Sequence, residues 1–153
     1  MKYNKIIKKH LGETFRDLST LGSFLFVILA AIIFSFIDYK ITLIILIGLI
    51  LIEGLGSLIK ILIYKKRPNK ENYSNLFEKI DSSSSVSIHS ARAILAALSV
   101  YHLFSVYISI FIFLFVLLIG ISRIYLKKHY LGDVIKGYLF GFIIWYLTNM
   151  AVR

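Results

Sequence analysis

Runs of apolar residues recur along this chain, and each is close to the length of a helix that crosses a membrane. A spanning helix needs about 20 apolar residues, and the sequence has such runs at 21–37, 41–64, 89–104, 106–122 and 133–151. Because 58% of the residues are hydrophobic, the chain has too little polar surface for a soluble domain. The sequence therefore predicts an all-α integral membrane protein, a bundle of about five transmembrane helices.

The whole chain, residues 1–153, is predicted to form one membrane-embedded domain, because five helices use nearly its full length. Residues 1–20 have apolar side chains at spacings of three and four among basic ones. This pattern favours an amphipathic helix on the membrane surface, and a solvated basic tail is the alternative. Residues 21–153 form the helical bundle, and its predicted active-site loops are 65–88 and 123–132.

The net charge of +10 comes from 18 Lys and Arg residues against 8 Asp and Glu. In a membrane protein this excess favours anionic lipid head groups or a phosphorylated substrate as partners, and we expect no nucleic acid. The absence of cysteine excludes disulfides and thiolate metal sites. If the chain has five spans, most lysines of the N-terminus and of both polar loops lie on one side. The positive-inside rule then predicts that the loops are cytoplasmic.

Two polar clusters flank the longer loop. Lys60, near the end of a predicted helix, and Arg67, just before the only proline, could together grip a phosphate dianion; a basic flank that sets topology is the alternative. The serine run 82–85 is typical of a flexible approach to the next helix. At that helix start, Ser87 and the backbone could cradle phosphate and His89 could protonate a leaving group. A serine cap beside an interfacial histidine is the alternative.

The third cluster is the stretch SRIYLKKHYLGD at 122–133. Arg123 adds a cation, and His129 and Asp133 share a face if the last helix begins just before them. A carboxylate bonded to one ring nitrogen would fix the tautomer and make the other nitrogen a nucleophile toward phosphorus. An interfacial loop that sets topology, with Asp133 capping the helix, is the alternative.

In order, the clusters read K-x6-R-P, S-x-H and S-R-x5-H-x3-D. This order resembles the signature of the type 2 phosphatidic acid phosphatase family, integral-membrane lipid phosphate phosphatases related in their catalytic core to vanadium-dependent haloperoxidases. The first and third motifs are complete. The second departs from the family's P-S-G-H, because Val86 replaces the proline and Ile88 the glycine. We expect these changes to reshape the pocket without removing a catalytic side chain.

The resemblance implies a mechanism without metal or cofactor. His129, oriented by Asp133, attacks phosphorus to form a phosphohistidine, and His89 protonates the departing oxygen and then activates water. The groups that the resemblance assigns to the phosphate oxygens are Lys60, Arg67, Ser87, the backbone at Ile88, and Arg123.

Three further polar residues are secondary candidates: Glu53, Arg92 and Ser122. Arg92 lies one turn beyond His89. A charge at membrane depth indicates either a functional role or an oppositely charged partner. Glu53 could neutralise Arg92 or tune Lys60, and we favour an ion pair over a substrate contact for Arg92.

The leading hypothesis is a phosphatase of membrane lipid phosphates or isoprenoid diphosphates. A second enzyme hypothesis has the same reaction with a glycerolipid substrate, either phosphatidylglycerophosphate or phosphatidate. A non-catalytic protein that binds anionic lipid or scaffolds partners is the alternative from another class.

Overall fold

The structure, a computed structural model, describes residues 2–69, 75, 78, 80 and 82–152. Within these residues it contains six α-helices, a short 3-10 helix at Tyr101–Leu103 and no strand. The α-helices are α1 (Lys2–Thr20), α2 (Phe24–Ser35), α3 (Tyr39–Leu62), α4 (Ile88–Val100), α5 (Val106–Tyr125) and α6 (Leu131–Val152). The all-α prediction is confirmed.

Serine and aspartate side chains mark where several helices begin. Ser23 accepts the Phe26 N–H before α2, and Asp38 accepts the Lys40 N–H at 2.8 Å before α3. Such caps satisfy backbone donors that have no partner inside the helix. Local sequence therefore sets these helix starts.

In the part of the chain that the structure describes, three helices are long and apolar enough to cross a membrane: α3, α5 and α6. Lys9–Thr20 and α2 would add a fourth span if this pair, bent by 48°, is one broken span. The count of three or four differs from the five spans expected. Alone, α2 has 12 residues and α4 has 13, and both are shorter than a spanning helix requires.

Helix α4 is the centre of the bundle and packs against α2, α3, α5 and α6. Nine of its 13 residues are buried, so its apolar sequence reflects a protein core more than exposure to lipid. The surrounding helices leave large apolar side chains exposed, as expected of surfaces that face lipid. This is the physical reason why sequence alone counted α4 as a span.

Two glycines let α6 approach α4 closely. A methyl group at Gly137 would collide with the Ser87 carbonyl oxygen, and one at Gly141 would collide with that of Ala91. Small residues four apart are a common way for membrane helices to pack. The close approach brings the start of α6 against the start of α4, and the Ser87 N–H donates to the Asp133 carbonyl at 3.0 Å.

The N-terminal segment is helical, as the amphipathic prediction required. Helix α1 packs along α5, and the Phe15 ring stacks on the Tyr125 ring with centroids 4.2 Å apart. That α1 lies on the membrane surface stays a prediction. The middle of the predicted 65–88 loop falls largely outside the described residues, and the second loop is shorter than predicted because α5 continues to Tyr125 and α6 begins at Leu131.

Candidate active site

A polar cavity of about 440 Å³ lies where the end of α3, the start of α4, and the end of α5 with the turn that follows it meet. Its lining includes both histidines of the motifs and five cations with one carboxylate: His89, His129, Lys60, Arg67, Arg92, Arg123, Lys128 and Glu53. The fold therefore brings all three sequence clusters to one place. A second polar cavity shares His89, Arg123 and Lys128 with it and extends to Arg16 on α1.

His129 is positioned by a tight turn after α5. Lys127 has a positive φ of 55°, uncommon outside glycine, and the chain folds back there. The N–H groups of Lys128 and His129 both donate to the Arg123 carbonyl, at 3.0 and 3.2 Å. One turn thus holds a predicted nucleophile and a predicted phosphate-binding cation next to each other.

The His129 ring is buried, with 3% of the residue exposed. Burial lowers its pKa from 6.5 to about 3, and the charges of Arg123, Arg67 and Lys60 act in the same direction, while Asp133 opposes them. At neutral pH the imidazole is therefore uncharged, which is the form that can attack phosphorus.

The predicted direct contact between Asp133 and His129 is wrong. Among the hydrogen bonds of the described residues, none joins the two side chains, and Ser84 lies between them. Asp133 is fully buried and accepts from the Ser84 hydroxyl, from the Tyr130 N–H at 3.0 Å and from the Lys65 ammonium at 2.6 Å. The Asp133 carboxylate is therefore connected to the His129 ring through the Ser84 hydroxyl.

His89 lies in the first turn of α4, and Ser87 is the cap of that helix. The Ser87 hydroxyl is fully buried and accepts from the Ser90 hydroxyl at 2.8 Å, so this side chain lies outside the cavity lining. The first backbone bond within α4 is donated by Ala91, which leaves the N–H groups of Ile88 and His89 among those that a helix start offers to an anion.

Ile88, which replaces the family's glycine, lines the cavity without filling it. Its side chain packs over Gly56 on α3, where an added methyl group would collide with the Ile88 Cδ1 atom. A glycine on the facing helix thus makes room for the larger residue.

The cations reach the cavity from separate elements. Lys60 is buried in the last turn of α3, and Arg123 near the end of α5 donates to the Ser19 hydroxyl of α1 at 2.6 Å. Ser122 is buried, and its hydroxyl donates to the Ile119 carbonyl of its own helix at 2.6 Å. It does not line the cavity.

The predicted ion pair between Glu53 and Arg92 is present. The Arg92 Nε and Nη2 atoms both lie 2.6 Å from Glu53 Oε1, and Nη1 donates to the Gly22 carbonyl at 3.4 Å. Both residues also line the polar cavity. Arg92 is therefore largely balanced by a carboxylate before any substrate enters.

Sequence reasoning missed Ser84 and Lys65 and assigned Lys128 no chemistry. Lys128 borders the cavity beside His129. Its place next to the motif histidine was a usable signal, whereas nothing in a run of four serines distinguishes Ser84. Among the described residues, no group of three or more His, Cys, Asp or Glu side chains could hold a metal ion.

A PAP2 superfamily model matches residues 20–153, which include every motif of the site. The chain belongs to the PAP2 superfamily. Its structure is similar to the crystal structure of Aquifex aeolicus LpxE, with a TM-score of 0.77 and 25% sequence identity over 92% of this chain and 86% of that one. The search of curated proteins gave no match. Family and structural similarity together support a lipid phosphatase, a hydrolase that acts in a membrane on a lipid substrate.

Proposed function

We propose that this PAP2 protein hydrolyses the terminal phosphate of a membrane lipid phosphate or isoprenoid diphosphate through a phosphohistidine at His129. The observation that carries the proposal is that His89 and a buried, uncharged His129 border one cavity with Lys60, Arg67 and Arg123. A site that only bound anionic lipid would need the cations but neither histidine.

In the proposed complex, Lys60, Arg67 and Arg123 contact the non-bridging oxygens of the terminal phosphate. They stabilise the negative charge that the equatorial oxygens carry in the transition state. The backbone N–H groups at Ile88 and His89 add donors at the start of α4. If the substrate is a diphosphate, Lys128 would contact its second phosphate.

In the first step, the His129 Nε2 lone pair forms a bond to phosphorus, and the bond between phosphorus and the leaving oxygen breaks. His89 gives its proton to that oxygen, so the product leaves as an alcohol or as a protonated phosphate. Burial and then the nearby cations lower the pKa of His89 to about 2. His89 therefore takes up the proton that it donates when the substrate binds, because the negative charge of the phosphate raises this pKa.

In the second step, neutral His89 takes a proton from water while the water oxygen attacks phosphorus. The bond between phosphorus and Nε2 breaks, inorganic phosphate leaves, and both histidines return to their starting forms. His129 keeps its Nδ1 proton throughout.

The expected substrate has a terminal phosphate on an apolar tail, because a cavity lined by cations lies beside an exposed apolar side chain. Ile61 of α3 lines the cavity and is 55% exposed, so the polar site reaches a surface that faces lipid. An apolar tail could stay in the bilayer against this surface while the phosphate enters. Phosphatidate and phosphatidylglycerophosphate are the glycerolipid alternatives.

The purified protein in detergent should release phosphate from at least one member of a panel of isoprenoid diphosphates, isoprenoid monophosphates, phosphatidate and phosphatidylglycerophosphate. His129→Ala should lower the rate by at least about 10³-fold, because the nucleophile is lost. His102→Ala, at an exposed position in the 3-10 helix, is the matched control and should keep the wild-type rate. Binding of anionic vesicles without phosphate release would favour the non-catalytic alternative.

The intermediate has its own test. Lipid labelled with ³²P in the terminal phosphate, quenched into alkali within the first turnover, should leave label on the protein, because phosphohistidine survives alkali. His129→Ala should carry no label. Label that persists in this variant would mean that a residue other than His129 is the nucleophile.

We also propose that the site faces the cytoplasm, on the basis of the lysine excess at that end. The chain has no cysteine, so Lys66→Cys in the exposed part of the loop gives a single thiol. An impermeant thiol reagent should label it in inverted vesicles and leave it unlabelled in intact cells. Labelling in intact cells would place the site outside.

A further inference from the structure

The serine run at 82–85 is buried in the structure, although its sequence is typical of a flexible segment. All four serines are less than 9% exposed, and Ser83 and Ser84 are fully buried. The segment is tied to the end of α3, because the Ser84 N–H donates to the Lys65 carbonyl at 2.7 Å and the Lys65 N–H donates to the Ser83 hydroxyl at 3.3 Å.

Three groups surround the Ser84 hydroxyl oxygen. It lies 2.8 Å from Asp133 Oδ2, 3.2 Å from His129 Nδ1 and 3.3 Å from the Lys128 carbonyl oxygen. A hydroxyl has one proton and two lone pairs, so it donates fully to one of the three. The ionised carboxylate is the nearest and the strongest acceptor, and it takes the proton.

The remaining lone pairs of Ser84 then determine the tautomer of His129. With its proton directed at Asp133, the hydroxyl oxygen can only accept from the ring, so Nδ1 of His129 carries a hydrogen. The neutral ring then has its lone pair on Nε2, the nitrogen that the proposed reaction needs.

Asp133 has a charged partner on its other side. The Lys65 ammonium lies 2.6 Å from Oδ1, and its Nζ atom lies 4.4 Å from the centre of the Tyr130 ring. Lys65 therefore both positions Ser84 through its backbone and pairs with Asp133 through its side chain.

The geometry points to Ser84 as a positioning residue for His129, one that connects the Asp133 carboxylate to the Nδ1 proton and orients Nε2 toward the cavity. This inference rests on the proposed function, in which His129 is the nucleophile. When Nε2 bonds to phosphorus, the ring becomes positively charged. The hydrogen bonds through Ser84 connect this charge to the Asp133 carboxylate, which stabilises it. No proton leaves Nδ1 in this step.

The kinetic test compares Ser84→Ala with Ser85→Ala. Both remove one buried hydroxyl from the same run, but Ser85 accepts only from Ser83 among the hydrogen bonds described and contacts neither His129 nor Asp133. Ser84→Ala should lower kcat about 10- to 100-fold, the effect of losing one hydrogen bond to an ionised group. KM should stay within about threefold, and Ser85→Ala should match the wild type on both constants. Equal kcat values for the two variants would overturn the inference.

A spectroscopic test reads the tautomer without any turnover. In protein labelled with ¹⁵N-histidine, long-range ¹H–¹⁵N spectra identify which ring nitrogen carries hydrogen, and His129→Gln assigns the signals of His129. Wild type should have the hydrogen on Nδ1, and Ser84→Ala should show a mixture of tautomers. Hydrogen on Nε2 in the wild type would overturn the inference even if Ser84→Ala fails to fold. If no lipid phosphate is hydrolysed, the proposed function fails, whereas the wild-type tautomer still decides the role of Ser84.

Discussion

Two of the cavities that border helix α4 are similar in size but differ in lining. The polar cavity, of about 440 Å³, touches Ile88, His89 and Arg92 at the start of the helix. The other, of about 390 Å³, has only apolar residues in its lining, among them Ala93, Ala97 and Val100 further along the helix. Within about three turns, the surroundings of this one helix thus change from charged side chains to apolar ones.

The two linings show which end of this bundle holds charged groups. Each ionised group at the polar end is close to an opposite charge or to hydrogen-bonding partners, as in the pairs of Lys65 with Asp133 and of Arg92 with Glu53. Burying a charge without such partners is strongly unfavourable. Substitutions around the polar cavity should therefore change catalysis first, and substitutions in the apolar half should change stability first.

After loss of the proposed nucleophile, the largest expected effect is that of Arg123→Ala, which removes a cation from the polar cavity. We expect kcat/KM to fall at least about 100-fold, because a positioned group that stabilises transition-state charge is lost. Lys136→Ala, at an exposed position on α6, removes the same charge elsewhere and should leave the rate unchanged. Phosphate release measures both, and equal effects would mean that only the net charge of the protein matters.

Gly137→Ala should destabilise the packing of α6 on α4. Its methyl group would meet the Ser87 carbonyl, and overpacking of this kind costs about 1–3 kcal/mol. Gly54→Ala is the matched control, because a methyl group there meets nothing within 4 Å. Thermal unfolding in detergent should show a lower midpoint for Gly137→Ala alone. An unchanged midpoint would contradict the close packing of α4 on α6.

Acidification should destabilise the protein through His129. Burial lowers the pKa of His129 from its ordinary value of 6.5 to about 3 in the folded protein, so below pH 6.5 the unfolded chain binds a proton that the folded chain does not. The free energy of unfolding therefore falls as pH decreases from 6.5 toward 3. His129→Gln, which cannot be protonated, should lose less stability than the wild type between pH 7 and 5. Equal losses would indicate that His129 is protonated in the folded state.

The smallest effect is expected for Ala97→Val, which adds two methyl groups beside the apolar cavity. Ala97 lies in the lining of that cavity, so the added volume has space, and the unfolding midpoint should change by no more than a few degrees. Phosphate release should stay within about twofold of wild type. A large loss of activity at an unchanged midpoint would break the comparison, because it would connect the apolar cavity to substrate binding.

Helix formation was predictable because it depends on local apolar runs and on caps such as Ser23 and Asp38. The number of spans was not. The run at 89–104 is apolar because α4 is covered by other helices, and a buried core helix and a helix that faces lipid have the same composition. Only the packing separates the two.

Most of the candidate site was predictable from the spacing of its residues. Lys60, Arg67, His89, Arg123 and His129 meet at one cavity, as the three motifs implied. Ser87 and Ser122 do not reach its lining, because their hydroxyls bond within the starts and turns of their own helices. A motif identifies a residue type at a position, but the local backbone decides which way its side chain turns.

The apolar helices follow from the local sequence, and so does the fixed order of the motif cations and the two histidines, since both are properties of neighbouring residues. Only the tertiary structure decided how His129 and Asp133 are connected. Four residues apart, they could have touched directly, yet the chain between α3 and α4 inserts Ser84 between them. Along the chain, Ser84 is 45 residues from His129 and 49 residues from Asp133. Contacts between residues so far apart in sequence depend on how the helices pack.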